Sequence, residues 1–243
     1  MKNVIITGTS RGIGIELVKT FSRNNFNVFS LTRDYKSVSN LKLKNVHSFY
    51  LDISNEKSIS KTVSEIVNCV DSVDILINNA GSLINKPFLE TTLNDFQRVY
   101  SVNVFGVAIL IKQLFKFLNS DSNIVNISSI GGISGSSKFP GLCTYSTSKA
   151  ALNLLTEMLA EEFKDSKIKF NNLALGAVQT EMLREAFPGY KAKISPKQMA
   201  SFIFKFSTQD YKFFNGKTIP VSISNPWNSI KYSNIYPTLQ LAT

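Results

Sequence analysis

The stretch K-N-V-I-I-T-G-T-S-R-G-I-G, residues 2–14, decides the fold class. It begins with a short apolar, β-branched run at residues 2–7, which is typical of a buried parallel strand. Glycines follow at positions 8, 12 and 14, and helical periodicity continues from Ile15 to Phe21. A strand, a glycine-rich turn and a helix in this order form the phosphate-binding unit of a doubly wound fold, because a pyrophosphate can approach the backbone N–H groups there. The spacing is G-x-x-x-G-x-G rather than G-x-G-x-x-G.

Six further apolar runs alternate with helical patterns along the rest of the chain. They predict strands at residues 27–32, 46–51, 73–77, 123–127, 168–175 and 217–223. Helices are predicted after a cap at Ser54, over residues 92–118, along the segment that follows Tyr145, and from Ser195 to Phe206. The alternation predicts one α/β domain over residues 1–243, a Rossmann-like, doubly wound parallel sheet of about seven strands with helices on both faces. The tail, residues 226–243, has no usable periodicity.

Composition narrows the class of protein. The chain has 243 residues, 43% apolar and 18% charged, which is ordinary for a globular protein. It contains no uninterrupted apolar stretch of the ~20 residues that a membrane helix needs, and no leader pattern, so a cytoplasmic protein is expected. Cys69 and Cys143 are expected to be free thiols, and the single histidine, His47, argues against a His-rich metal site, so no metal is expected. The net charge of +10 is scattered, which favours a solvated surface over a nucleic-acid interface.

The end of the second predicted strand indicates which dinucleotide would bind. In NAD-binding sheets an acidic residue at this point accepts hydrogen bonds from the ribose 2′-OH. Here Thr32 occupies that position and Arg33 follows it. Together with Arg11 of the glycine-rich turn, Arg33 would suit a 2′-phosphate, which favours NADP(H). NAD(H) remains the alternative if Asp34 is the ribose partner.

Tyr145 and Lys149 lie four residues apart in Y-S-T-S-K, just before an apolar helical pattern. On a helix the two side chains project from the same face. A phenol ionises near pH ~10, and a neighbouring ammonium group favours the phenolate and lowers that pKa. The pair is therefore a candidate general acid and base. The alternative at this point is chance spacing, with a partly buried tyrosine and a solvated lysine.

Polar and small residues follow other predicted strands. Asp52 and Ile53 follow the third strand, residues 78–81 (N-N-A-G) follow the fourth, and residues 128–132 (S-S-I-G-G) follow the fifth. Such sheets bind ligands at the carboxyl ends of their strands. Asn103 lies inside the long predicted helix, where asparagine is mildly unfavourable and tends to have a local role.

Taken in order, these motifs resemble the short-chain dehydrogenase/reductase family over nearly the whole chain. The resemblance implies that Tyr145 exchanges a proton with a carbonyl or alcohol oxygen. It implies that Lys149 lowers the tyrosine pKa and binds the nicotinamide ribose. Ser129, with Ser128 as the alternative, would hydrogen-bond the reacting oxygen, and Asn103 would hold a water in the proton path to Lys149.

The same resemblance implies the cofactor contacts. They are expected at Gly8, Ser10, Arg11, Gly12, Ile13, Gly14, Arg33, Asp52, Ile53, Asn79, Ala80, Gly81, Tyr145, Lys149, Gly176, Val178 and Thr180. A Pro-Gly pair is usual beside the nicotinamide, whereas Leu175 precedes Gly176 here. Residues 181–195 would form a mobile lid over the substrate, and its Met182, Leu183, Phe187, Pro188 and Tyr190 predict a partly apolar pocket.

The sequence supports three functional hypotheses. The first is an NADP(H)-dependent oxidoreductase that acts on a ketone, an aldehyde or a secondary alcohol, as a homodimer or homotetramer without a nucleic-acid or membrane partner. The second is a 3-oxoacyl-carrier-protein reductase, for which the basic surface would suit an acidic carrier protein. The third is a non-catalytic dinucleotide sensor, although such a protein would be expected to lose the serine, tyrosine or lysine.

Overall fold

The apolar runs form seven strands, all paired in parallel in one sheet of order β3-β2-β1-β4-β5-β6-β7. A computed structural model describes residues 1–224, so the predicted tail at 226–243 lies outside the described residues. The strands are β1 (Asn3–Thr7), β2 (Asn27–Thr32), β3 (Val46–Tyr50), β4 (Val73–Asn78), β5 (Leu118–Ser129), β6 (Lys169–Leu175) and β7 (Lys217–Val221). The predicted doubly wound parallel sheet is confirmed.

Helices cover both faces of this sheet. They are α1 (Gly12–Arg23), α2 (Lys36–Ser39), α3 (Glu56–Val67), α4 (Leu93–Tyr100), α5 (Gly106–Leu114), α6 (Cys143–Glu162), α7 (Glu181–Ala186) and α8 (Pro196–Thr208). Along β1, Val4 and Ile6 belong to the core that α1 and α8 cover, whereas Ile5 belongs to the core under α3, α5 and α6. This alternation is what a strand buried on both faces requires.

The long helix predicted at residues 92–118 contains one irregular turn. Thr92 and Asp95 form a capping box at the start of α4, and a π-helical turn, Ser101–Phe105, joins α4 to α5. Asn103, the asparagine predicted to have a local role, lies in that turn, and π turns are often found at functional sites. By length and composition the helical run Leu93–Phe117 could cross a membrane. In the fold, however, its Leu110 and Leu114 are fully buried in the core.

Two local predictions need correction. The helix cap predicted at Ser54 is wrong, because Asn55 caps α3 by accepting a hydrogen bond from the Ser58 N–H at 3.0 Å. Ser54 instead donates its hydroxyl and its N–H to the Asp52 carboxylate at 2.7 and 3.0 Å. The fifth strand is also longer than predicted, since Leu118 already pairs with Val73 of β4.

The glycine-rich turn after β1 packs directly on the segment after β4. The Thr7 hydroxyl accepts the N–H groups of Asn79 and Ala80 at 3.1 and 3.0 Å. Gly8 has a φ of +70°, and a Cβ at this position would lie 2.6 Å from the Ala80 Cα. Only glycine satisfies both constraints. The strand order reverses between β1 and β4, and this reversal opens the crevice in which doubly wound folds bind ligands.

Gly106 allows α5 to approach the end of β3, and its replacement tests this packing. A Cβ on Gly106 would lie 2.0 Å from the Ile53 carbonyl oxygen, so Gly106→Ala requires the backbone to move. We expect the free energy of unfolding to fall by about 1–3 kcal/mol, measured by urea denaturation. Ala108→Ser, which adds one heavy atom at a half-buried position of the same helix, is the control. Equal stability of the two variants would contradict the packing described.

Candidate active site

A cavity of about 1100 Å³ runs along the carboxyl ends of the strands. Its walls come from the glycine-rich turn, the ends of β2, β3, β4 and β5, the start of α6, and residues 176–190. Of the residues predicted from the sequence to form the site, all except Gly14 and Asn103 line this cavity. The structure therefore brings the predicted cofactor contacts other than Gly14, together with the tyrosine–lysine pair, into one space.

Helix α6 presents Tyr145 and Lys149 to the cavity from the same face. Tyr145 is half-buried and Lys149 is only 4% exposed. The Lys149 Nζ lies 5.8 Å from the centroid of the tyrosine ring and donates a hydrogen bond to the Ile127 carbonyl at 2.8 Å. The lysine is therefore buried and is not the solvated surface residue that the chance-spacing alternative describes.

Burial dominates the pKa values of this pair. It raises the pKa of Tyr145 to about 12, against the opposing effect of a hydrogen bond with Ser129. It also lowers the pKa of Lys149 to about 8. Desolvation of a phenolate raises the tyrosine pKa by more than the Ser129 hydrogen bond lowers it. The lowering of this pKa by Lys149 stays a prediction. At neutral pH Tyr145 holds its proton and can donate it.

The two serines at the end of β5 have different partners. The Ser129 hydroxyl hydrogen-bonds with Tyr145 and accepts the Gly131 N–H at 3.2 Å. The Ser128 hydroxyl donates to the Lys149 carbonyl at 3.3 Å and is 3% exposed. Ser129 therefore lies beside the tyrosine hydroxyl, as expected of the residue that binds the reacting oxygen, whereas Ser128 contacts the α6 backbone.

Asn103 lies behind the cavity wall and connects three elements. Its Oδ1 accepts the Ser82 N–H at 2.8 Å, and its Nδ2 donates to the Ser82 carbonyl and to the Ser148 hydroxyl, both at 2.9 Å. Both amide N–H groups are therefore in use, so the side chain could hold the predicted water only through the second lone pair of Oδ1. Asn103 therefore joins the segment after β4 to Ser148 of α6, the residue directly before Lys149.

In the segment after β4, the side-chain amide of Asn79 hydrogen-bonds to the glycine-rich turn. The Asn79 Nδ2 donates to the carbonyls of Thr7 and Gly8, each at 3.0 Å. A Cβ on Gly81 would have the Asn103 Oδ1, the Lys149 Nζ and the Met182 Cε at 3.7–3.9 Å. Gly81 thus lies where Asn103, the lysine and the predicted lid converge.

Charged residues at the ends of β2 and β3 line the opposite end of the cavity. Arg33 and Asp34 are both exposed and follow Thr32, which is buried. Neither side chain forms an ion pair or a hydrogen bond in the part of the chain that the structure describes. The Asp52 Oδ1 accepts hydrogen bonds from the N–H and the hydroxyl of Ser54. Both candidate ribose partners, Arg33 and Asp34, therefore reach this end of the cavity.

Arg11 has a partner that the sequence did not predict. Its two Nη atoms form a bidentate ion pair with the Glu185 carboxylate of α7, in which the Nη2–Oε2 distance is 3.1 Å. The hydrogen bond raises the pKa of Arg11 and lowers that of Glu185. The side chains are 52% and 60% exposed. This contact joins the glycine-rich turn to the predicted lid.

The predicted lid, residues 181–195, begins with α7 and returns to the sheet at Ile194. Thr180 caps α7 by accepting the Leu183 N–H at 3.2 Å, and Ile194 bridges to Val178. The apolar side chains that line the cavity here are Met182, Leu183, Phe187 and Tyr190. Leu175, in place of the usual proline, continues the ladder of β6, and the Gly176 N–H donates to the Val221 carbonyl at 2.9 Å.

Sequence reasoning missed one polar wall of the cavity. Asn94, Gln97, Arg98 and Ser101 line it from α4 and its continuation. The signal was present, because the spacing i, i+3, i+4, i+7 places all four on one helix face. Ser82, Leu83, Ser137, Phe139 and Leu142 were also missed, since loop conformation is not readable from periodicity. Within residues 1–224, no group of three metal-ligating side chains could hold a metal ion.

The strand order and the glycine-rich turn define a dinucleotide-binding, doubly wound fold. A sequence model described as short chain dehydrogenase matches residues 2–191, so the chain belongs to that family and is an oxidoreductase acting on CH–OH or C=O groups. It is 30% identical over 237 residues to the 3-oxoacyl-[acyl-carrier-protein] reductase FabG of Aquifex aeolicus, an alignment that covers 90% of this chain and 94% of that relative.

Two solved structures share the fold at 25% identity. The Pseudomonas aeruginosa RhlG/NADP active-site complex matches with a TM-score of 0.81, over 91% of this chain and 94% of its own. A 4-hydroxyisoleucine dehydrogenase complexed with NADH matches with a TM-score of 0.82, over 93% of this chain and 98% of its own. One of these relatives therefore holds the phosphorylated dinucleotide and the other the unphosphorylated one.

The buried charge of Lys149 predicts a pH dependence of stability. Because the pKa is lowered from 10.5 to about 8, the folded protein releases this proton at lower pH than the unfolded chain does. The unfolded state binds more protons between pH 8 and 10, so this group's contribution to stability rises with pH in that window. Relative to Lys149→Met, the wild type should gain roughly 2–3 kcal/mol between pH 7.5 and 10, measured by urea unfolding.

The exposed substitution Lys57→Met is the control for this titration, since it removes the same charge from the surface of α3. Its stability should follow that of the wild type across the pH range. Parallel curves for the wild type and Lys149→Met would show that the lysine carries no buried charge.

Proposed function

We propose that this protein is an NADP(H)-dependent oxidoreductase that reduces a ketone or aldehyde, or oxidises the matching secondary alcohol. The observation that carries the proposal is the cluster at the start of α6. There the Tyr145 hydroxyl hydrogen-bonds with Ser129, and the Nζ of the buried Lys149 lies 5.8 Å from the centroid of the tyrosine ring. The cluster lines the same cavity as the glycine-rich turn.

The residues around the glycine-rich turn fit a nicotinamide dinucleotide. Arg11 occupies the cap position of α1, no side chain caps the helix, and its first turn contains no acidic residue. The N–H groups at this helix start therefore remain available to a pyrophosphate. Asp52 and Ile53 would contact the adenine, Gly81 and Lys149 the nicotinamide ribose, and Val178 and Thr180 the carboxamide. When bound, the cofactor supplies or accepts the hydride.

NADP(H) is favoured over NAD(H) by the charge at the adenosine end of the cavity. Arg11 and Arg33 both line it, and a guanidinium fork suits a phosphate. The relatives hold either dinucleotide, in the RhlG complex NADP and in the 4-hydroxyisoleucine dehydrogenase NADH. Asp34 supports NAD(H) as the alternative, because its carboxylate could accept the ribose 2′-OH.

The three side chains divide the proton chemistry between them. Tyr145, whose raised pKa keeps it protonated, donates its hydroxyl proton to the carbonyl oxygen as that oxygen becomes an alkoxide. Ser129 holds the same oxygen and orients it towards the tyrosine. Lys149 stabilises the phenolate that is left, and its own lowered pKa allows it to return a proton. In the alcohol-oxidising direction each step is reversed.

The substrate end of the cavity suits a neutral, apolar carbonyl compound. Phe139 and Phe187, from the loop before α6 and from the lid, meet with ring centroids 6.4 Å apart. The lining residues of these two segments include no Lys or Arg. The Lys138 ammonium group donates instead to the Ile133 carbonyl and to two oxygens of Ser136, at 2.6–3.0 Å. Within residues 1–224, these two segments therefore offer an anionic substrate group no lining counter-ion.

A 3-oxoacyl-carrier-protein reductase is the second candidate. The 30% identity to the Aquifex aeolicus reductase over nearly the full length favours it, and the net charge of +10 would suit an acidic carrier. A non-catalytic dinucleotide sensor is the third, and it would have no need for the ordered contacts among Ser129, Tyr145 and Lys149. Turnover of an acetoacetyl thioester distinguishes the reductase, and absence of turnover on every carbonyl compound would favour the sensor.

Self-association is part of the proposal. Leu93 and Phe105, in the α4–α5 run, and Leu154 and Met158, on α6, are large apolar side chains that are more than half exposed. Helices α4 and α6 pack against each other. A homodimer that pairs these helices would bury the four side chains, and a homotetramer would require a second interface. The substrate itself is a small molecule.

Replacing the proton donor tests the mechanism. Tyr145→Phe removes the hydroxyl while keeping the ring, so ketone reduction should fall by about 10²–10⁴-fold. NADPH binding, followed by its fluorescence, should remain within about threefold of the wild type because the ring stays in place. Tyr50→Phe, at an exposed tyrosine, is the control. Near-normal turnover by Tyr145→Phe would rule out the proposed mechanism.

A matched pair of substrates tests whether the substrate end of the cavity prefers a neutral carbonyl compound. 2-Octanone and 7-oxooctanoate differ only in a terminal methyl or carboxylate group. We expect kcat/KM to be roughly tenfold or more higher for the neutral ketone, because burying an uncompensated carboxylate is costly. Phe187→Arg should narrow that difference by supplying a counter-ion. Equal kcat/KM values in the wild type would contradict the apolar assignment.

A further inference from the structure

The start of α7 lies directly on the glycine-rich turn. A Cβ on Gly12 would lie 3.3 Å from the Thr180 Cγ2 and 3.4 Å from the Glu181 Oε2. The next turn of α7 then brings Glu185 to Arg11. The carboxylates of the predicted lid are therefore placed beside the surface that would receive the phosphates of a dinucleotide.

The ion pair between Arg11 and Glu185 uses the part of the guanidinium that a phosphate would use. Both Nη atoms are engaged by the two carboxylate oxygens. Arg33, the other arginine at this end, forms no side-chain ion pair or hydrogen bond with residues 1–224. A bidentate fork binds carboxylates and phosphates in the same way. A second anion must therefore displace Glu185 or be repelled by it.

We propose that Glu185 competes with the 2′-phosphate of NADP(H) for Arg11, and so sets how strongly the protein prefers NADP(H) over NAD(H). This inference rests on the proposed assignment of Arg11 to the 2′-phosphate. The ribose 2′-OH of NAD(H) has no charge, so Glu185 can keep its arginine when that dinucleotide binds. Glu185 is in this sense a positioning residue that acts through Arg11.

The expected change in NADPH affinity follows from the solvent exposure of the Arg11–Glu185 ion pair. Both side chains are more than half exposed, and ion pairs of this kind are weak because water screens them. Removing the competing carboxylate should therefore change the affinity several-fold rather than a hundredfold. The change should be largest at low ionic strength and should shrink as salt is added.

The test is to measure the dissociation constants of NADPH and NADH by cofactor fluorescence at low salt. The variants are Glu185→Gln, Arg11→Gln and the double variant, with Glu162→Gln as the control. Glu162 is exposed on α6, 17 residues from Tyr145, which is about 25 Å along a helix. Its substitution makes the same change in net charge without touching the cavity.

Glu185→Gln should bind NADPH about three- to tenfold more tightly and NADH within twofold of the wild type. In the Arg11→Gln background the same substitution should change the NADPH dissociation constant by less than twofold, because the guanidinium for which the two anions compete has been removed. Glu162→Gln should leave both constants unchanged. Added salt should reduce the increase in NADPH affinity that Glu185→Gln causes.

Two different results separate failure of this inference from failure of the cofactor assignment. If the wild type prefers NADPH and Arg11→Gln weakens that binding, but Glu185→Gln binds NADPH equally or more weakly, the competition alone is overturned. If the wild type binds NADH more tightly, or Arg11→Gln leaves NADPH binding unchanged, Arg11 is not the 2′-phosphate ligand and both proposals fail.

Discussion

The buried ammonium group of Lys149 is the constraint on which the rest of the site depends. A charge at 4% exposure needs an oxygen ligand, and the Ile127 carbonyl of β5 supplies one at 2.8 Å. That contact fixes α6 against the end of β5. Tyr145, one helical turn earlier, then meets Ser129 two residues beyond Ile127. The placement of the proposed proton donor thus follows from the need to satisfy one buried cation.

The fold brings two kinds of chemistry to one edge of the sheet. The strand order reverses beside β1, so the glycine-rich turn and the segment after β4 share a crevice. Arg11 and Arg33 line one end together with Asp34 and Asp52, whereas apolar side chains from the lid line the other end. The carboxylates of α7 lie between the two. The contact between Arg11 and Glu185 therefore links the part of the cavity suited to phosphates with the part suited to substrate.

Much of this arrangement could be predicted from the sequence because it rests on local patterns. The seven strands, the glycine-rich turn and the same-face placement of Tyr145 and Lys149 follow from periodicity and spacing. The pKa of Tyr145 could not, because its direction depends on how deeply α6 is buried. The ion pair between Arg11 and Glu185 could not be predicted either, because the two residues lie 174 positions apart in the chain. Such contacts depend on loop conformations that spacing does not specify.

The central claim is that this cavity reduces a carbonyl carbon while Tyr145 protonates its oxygen. Its most direct test is the mass of the alcohol formed from 2-octanone with NADPH that carries deuterium at the transferable position of C4. The account predicts one deuterium on the carbinol carbon of each alcohol, in one enantiomer, and a hydroxyl proton that exchanges with solvent. Alcohol formed without carbon-bound deuterium, or oxidation of the dinucleotide without any alcohol, would contradict it.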